Sequence, residues 1–220
     1  MTNKILEKIS EKYPLQEKDV GGFAKVKAKG LTFNITAYDA KGLGHVSIMQ
    51  GKGVLGLAKV AIFTINPIEI DLPVYSYQLF SIASENGLSI NVYDTLLGEY
   101  NYDKMNMVKS NFTHIPELVF QVEESARWDE AIKLDCGVYK RCSKKDVASL
   151  EALLLSHFEA YLDSSANIVP DVDREWKQRK AQIYVDGLLL SGAFMSDAFK
   201  QKIGESATEE LVRKIILGIE

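Results

Sequence analysis

The segment that most constrains this chain is a pair of strand-like runs in its first half. Asp71-Leu72-Pro73 leads into Val74-Tyr75-Ser76-Tyr77-Gln78-Leu79-Phe80-Ser81-Ile82, and Leu88-Ser89-Ile90-Asn91-Val92-Tyr93-Asp94 follows Asn86-Gly87. Asn-Gly between two β-like runs predicts a hairpin closed by a type I′ turn, which needs positive φ at both central residues. That turn would oppose Glu85 to Leu88 and Leu79 to Asp94. Alternation then puts Ser76, Gln78, Phe80, Asn91, Tyr93 and Thr95 on one face. The other face holds Tyr75, Tyr77, Leu79, Leu88, Ile90, Val92 and Asp94.

The neighbouring runs extend the same architecture. Leu31, Phe33, Ile35 and Ala37 alternate with Thr32, Asn34 and Thr36, the pattern of a half-buried strand. His45 to Gln50 reads as another strand. Gly51-Lys52 fits a two-residue type II′ turn, which would set His45 opposite Ala58. Val54 to Ile65 is apolar on both faces, as expected of a strand covered on both sides. Consecutive hairpins make the sheet antiparallel. The helices that cover it come mostly from the second half of the chain. Val147 to Leu162 has helical spacing behind Ser143-Lys144-Lys145-Asp146, a weak capping box. A second helical stretch runs from about Asp173 to about Lys202, broken near Gly187 or Gly192. Ser206-Ala207-Thr208-Glu209 reads as a capping box for the last helix. These elements predict an α+β protein, a three-layer α/β/α sandwich with a central antiparallel sheet, in a single domain over residues 1–220.

Composition narrows the function classes. A net charge of -4 over 220 residues leaves no electrostatic footprint for nucleic acid. No apolar run approaches the roughly 20 residues a membrane helix requires. Cys136 and Cys142 are the two cysteines and sit in no metal-ligand spacing, and three scattered histidines lack carboxylates at such spacing. The expectation is a cytoplasmic protein with reduced thiols and no metal. No Gly-x-Ser-x-Gly, phosphate-binding loop or dinucleotide fingerprint is present.

The face carrying Ser76, Gln78, Phe80, Asn91 and Tyr93 combines aromatic walls with a few hydrogen-bonding groups, the composition of a ligand pocket. A solvent-exposed sheet face has the same composition. His45 on its strand and Asp94 at a strand end are the candidate catalytic residues. A general-acid role for Asp94 would need burial to raise its pKa.

Leu72-Pro73-Val74-Tyr75-Ser76-Tyr77-Gln78 and the hairpin ending in Asp94 resemble the ferredoxin-dependent bilin reductases. So do Cys136-Gly137-Val138-Tyr139-Lys140-Arg141-Cys142, the helix ending in Tyr161-Leu162, and Gly204-Glu205-Ser206-Ala207. The resemblance implies an α/β/α sandwich that binds a linear tetrapyrrole between the sheet and the C-terminal helices, with no bound metal or flavin. It also implies that ferredoxin supplies electrons and pocket side chains supply protons. Gln78 stands where the family places an acidic donor, and an amide can hydrogen-bond a pyrrole carbonyl but cannot act as a general acid. Arg174, Lys177, Arg179 and Lys180 are candidates to pair propionates or dock an acidic ferredoxin. The competing expectation is a non-catalytic ligand-binding or dimerising protein on the same fold.

Overall fold

The computed structural model describes residues 1–53, 56–118, 129–164, 166–190 and 196–219. Eight strands form one antiparallel sheet in the order β1-β3-β4-β5-β6-β7-β8, with β2 also paired to β3. They are β1 (Leu15–Lys18), β2 (Lys25–Ala28), β3 (Leu31–Ala40), β4 (Gly44–Gly53), β5 (Ala58–Pro67), β6 (Val74–Ile82), β7 (Glu85–Tyr93) and β8 (Val138–Ser143). Strands β3 to β7 follow one another as hairpins, so each pairs with its sequence neighbour.

Helices cover both faces. The back face packs Val46, Ile48, Phe63, Ile65, Tyr75, Tyr77, Leu88, Ile90 and Val92 against α1 (Thr2–Ser10), α2 (Asp103–Asn111) and α3 (Val147–Leu162). The front face packs Phe33, Ile35, Met49, Ile62, Val74 and Tyr93 against the C-terminal helices. These are α4 (Arg174–Leu190), α5 (Ser196–Ile203) and α6 (Glu205–Glu210), which runs into a π-helical turn, Leu211–Ile216. The double covering explains why β5 is apolar on both sides. It is the α/β/α arrangement expected from the hydrophobic periodicity.

Two turn predictions are corrected. The β6–β7 turn lies at Ala83-Ser84, with Ala83 at φ +53°, and Leu79 pairs with Leu88. Asn86-Gly87 lies inside β7. A Cβ on Gly87 would come within 2.2 Å of the Phe80 ring, so the glycine leaves room for an aromatic side chain on the neighbouring strand. Gly51 does the same beside Phe33 and Val60, at 2.7 Å from each. It lies inside β4, and His45 pairs with Asn66 and not with Ala58. The hairpin register moved by an even number of residues, so the face assignments survived. Val54, the expected start of β5, lies outside the described residues, as does Gly192.

Helix signals fared unevenly. Ser143 accepts from Lys145 N at 3.3 Å and donates to Asp146 Oδ2 at 2.9 Å, opening the turn that leads into α3. Helix α4 runs unbroken through Gly187. The last helix is capped by Gly204 at φ +87°, and the Thr208 hydroxyl donates back to Gly204 O at 2.8 Å. The expected capping box at Ser206 does not form.

Candidate functional site

The front face carries two polar clusters with different surroundings. At one end, His45 and Ser47 on β4 and Asn66 on β5 lie side by side beneath the π-helical turn. His45 Nε2 donates to Ile215 O at 2.8 Å, Ser47 Oγ donates to Ile216 O at 2.8 Å and Asn66 Nδ2 donates to Leu217 O at 2.8 Å. A helix C-terminus leaves its last carbonyls without intrahelical donors. Three sheet side chains supply those donors here. His45 is 2% exposed, and a Cβ on Gly218 would come within 2.5 Å of its ring. Burial lowers the His45 pKa, offset in part by the Ile215 carbonyl and by Asp39, whose carboxylate lies 3.6 Å from Nδ1. His45 is therefore a clamp on the C-terminus, with Nε2 taken up by Ile215 O. The strand histidine named as a catalytic candidate thus lies at the opposite end of this face from Gln78, bonded to the C-terminal turn.

At the other end, Gln78 on β6 is exposed although it sits in mid-strand between paired neighbours. No hydrogen bond engages its amide among the described residues. Ser89 lies directly opposite on β7, and Ser89 in turn faces Tyr139 on β8. The Tyr139 hydroxyl donates to Asn91 Oδ1 in a short contact, and Asn91 Nδ2 donates to Ser89 Oγ at 3.2 Å. With its oxygen occupied as an acceptor, the Ser89 hydroxyl proton is left to point elsewhere on this face. Phe80 walls the row on the side away from Ser76. Ser76 is buried, 3.3 Å from Thr64 Oγ1, and also meets the Tyr184 hydroxyl of α4. The Tyr93 and Tyr184 rings pack tilted at 37° with centroids 4.4 Å apart, and burial raises the pKa of both phenols. A cleft of about 450 Å³ adjoins Tyr139 outside β8, lined by Lys109, Lys133 and Lys140 as well as Glu117, Glu130 and Asp135.

The structure thus brings Ser76, Gln78, Phe80, Asn91 and Tyr93 to one face, with Ser89, Tyr139 and Tyr184 added. The sequence carries no marker for Tyr184, because its helix contacts the hairpin only through the fold. Asp94 is not part of this set. It follows the last residue of β7, is exposed, and accepts from Leu96 N at 3.2 Å, a local turn contact.

The basic residues of α4 all have partners within the chain. Lys177 is fully buried, and its ammonium group donates to Asp71 Oδ1 at 2.9 Å, Leu72 O at 2.6 Å and Thr95 O at 2.9 Å. Burial lowers its pKa, against the Asp71 carboxylate that raises it. Asp71 also accepts from Leu97 N and Gly98 N, so this pair ties α4 to the loops flanking the hairpin. Lys180 donates to Leu96 O in a short contact. Arg174 pairs with Asp171 at 2.9 Å, and Arg179 pairs with Glu175 at 2.6 Å and lies over the Trp176 ring. The expected propionate or docking residues are thus used to hold the helix. Among the described residues no three of His, Cys, Asp and Glu converge as a metal site, and no helix is long and apolar enough to cross a membrane.

No family model matches the chain, and no curated protein matches it. Its fold does match a solved structure, phytochromobilin synthase from tomato in complex with biliverdin. The TM-score is 0.76 at 14% sequence identity, over 99% of this chain and 81% of that one. The chain therefore has the bilin-reductase fold, in agreement with the resemblance carried by the hairpin and the C-terminal segments.

Proposed function

We propose that this protein binds a linear tetrapyrrole, or a flat conjugated molecule of that kind, on the front sheet face around Gln78 and beneath the C-terminal helices. The observation that carries the reading is Gln78 itself, exposed and unpaired in mid-strand. Every other polar side chain of its row is held by a neighbour. A free carboxamide can donate to a lactam carbonyl and accept from a pyrrole N–H at once. Phe80 offers an aromatic wall and Ser89 a further donor. The neighbour of the same fold was solved with biliverdin, which supports the ligand class.

The reading extends to reduction of the bound ligand, with ferredoxin as an external one-electron donor. Protons would then have to come from a group other than Gln78, because an amide is not a general acid. Asp94 is available to solvent near the end of β7, whereas His45 lies under the C-terminal turn. Gln78 favours a second reading, binding without turnover. Adding biliverdin with ferredoxin and a reducing system separates the two. Reduction bleaches or blue-shifts the bound spectrum, and binding alone leaves it constant.

A further inference from the structure

The back face ends in a row that packing does not explain. Lys52 and Lys59 are direct partners across β4 and β5, on the face opposite to Gln78. Like charges directly opposite one another destabilise a sheet. Among the described residues no carboxylate lies within ion-pair distance of either ammonium group. The row continues through Ser81 and Asn86. Asn86 is 6% exposed, and its Nδ2 is buried with no hydrogen-bond partner. An unsatisfied buried donor is costly and calls for an explanation.

These groups line one cavity of about 420 Å³, which Gln50 and Glu151 also border. Val147, the first residue of α3, is part of its wall. Val147 opens a 16-residue helix, whose N-terminal end is the positive end of its dipole. Two lysines, a buried amide donor, a serine hydroxyl and a helix start therefore converge on one space. Leu79 and Ala61 give it an apolar floor. Glu151 is the one carboxylate among its lining residues.

We propose that this cavity is a second ligand site, for a small phosphate-bearing molecule. An anion between Lys52 and Lys59 would turn their repulsion into two charge-assisted contacts. Ser81 and Asn86 would bond its oxygens, and its body would lie on Leu79. The site is on the opposite face from the tetrapyrrole reading and does not depend on it.

The test is calorimetric titration of the full chain with sodium pyrophosphate, paired with thermal melting. Saturable heat and a rise in Tm at saturation are expected. Lys52→Ala and Lys59→Ala should each weaken binding by about tenfold, the loss of one charge-assisted contact. Glu151→Gln should tighten it. Lys59→Thr should melt higher than the parent without pyrophosphate, which reads the like-charge pair independently of the ligand. Biliverdin binding by these variants should be unchanged, so failure here would not count against the tetrapyrrole reading. No heat at tens of millimolar pyrophosphate would overturn the proposal. So would an equal response to sodium sulfate at matched ionic strength, or full affinity in both alanine variants.

Discussion

The two halves of the front face use similar residues to opposite ends. Around His45, Ser47 and Asn66, each side chain donates to a backbone carbonyl of the C-terminal turn, and the cluster is closed to solvent. Around Gln78, Tyr139, Asn91 and Ser89 bond to one another along the sheet, and the Gln78 amide beside them is exposed and unbonded. Polar residues on a covered sheet face are thus not evidence of a pocket by themselves. What separates structure from site is whether the chain supplies the partner.

Substitutions can break this contrast, beginning with the largest effect. Lys177→Ala leaves Asp71 and the two carbonyls without their buried cation and should cost about 3 kcal/mol. Chemical denaturation measures it, and a loss under about 1 kcal/mol would show that the cluster is not a strut. Acid should act on a similar scale through His157, which is buried between the Tyr75 hydroxyl and Cys136 O and has its pKa lowered to about 4. The unfolded state binds the extra proton between the usual histidine value and about 4. Stability is therefore complete above pH ~6.5 and falls by about 3 kcal/mol towards pH 4. His45, also lowered, pushes in the same direction. A flat denaturation midpoint across that window would refute the neutral buried imidazole.

Asn66→Ala removes one of the three C-terminal donors and should cost about 1–2 kcal/mol by leaving Leu217 O unpaired. Ala83→Gly should stabilise the hairpin by about 1 kcal/mol, because Ala83 sits at φ +53°. Gln78→Ala should change stability by less than about 0.5 kcal/mol, since the side chain is exposed and unbonded. Equal costs for Asn66→Ala and Gln78→Ala in the same melting experiment would erase the distinction between the two halves.

The faces of β6 and β7 were legible in the sequence because side-chain alternation does not depend on where the turn falls. The turn itself was not. Glycine serves a tight turn and an overlying aromatic ring equally well, and only the fold reveals that Phe80 lies over Gly87 and Phe33 beside Gly51. Lys177 looks available to propionates or a docked ferredoxin because its partner Asp71 is 106 residues away. His157 is one of three histidines that look scattered in the sequence, since nothing local announces that Tyr75 and Cys136 take both its nitrogens. In each case the missing information was a long-range partner.

The central claim is that the open half of the front face holds a tetrapyrrole, and a biliverdin titration followed in the visible spectrum tests it most directly. A saturable red-region shift is expected in the parent protein, with clearly weaker binding by Gln78→Ala at unchanged melting temperature. No shift at tens of micromolar ligand, or equal affinity in the variant, would contradict it.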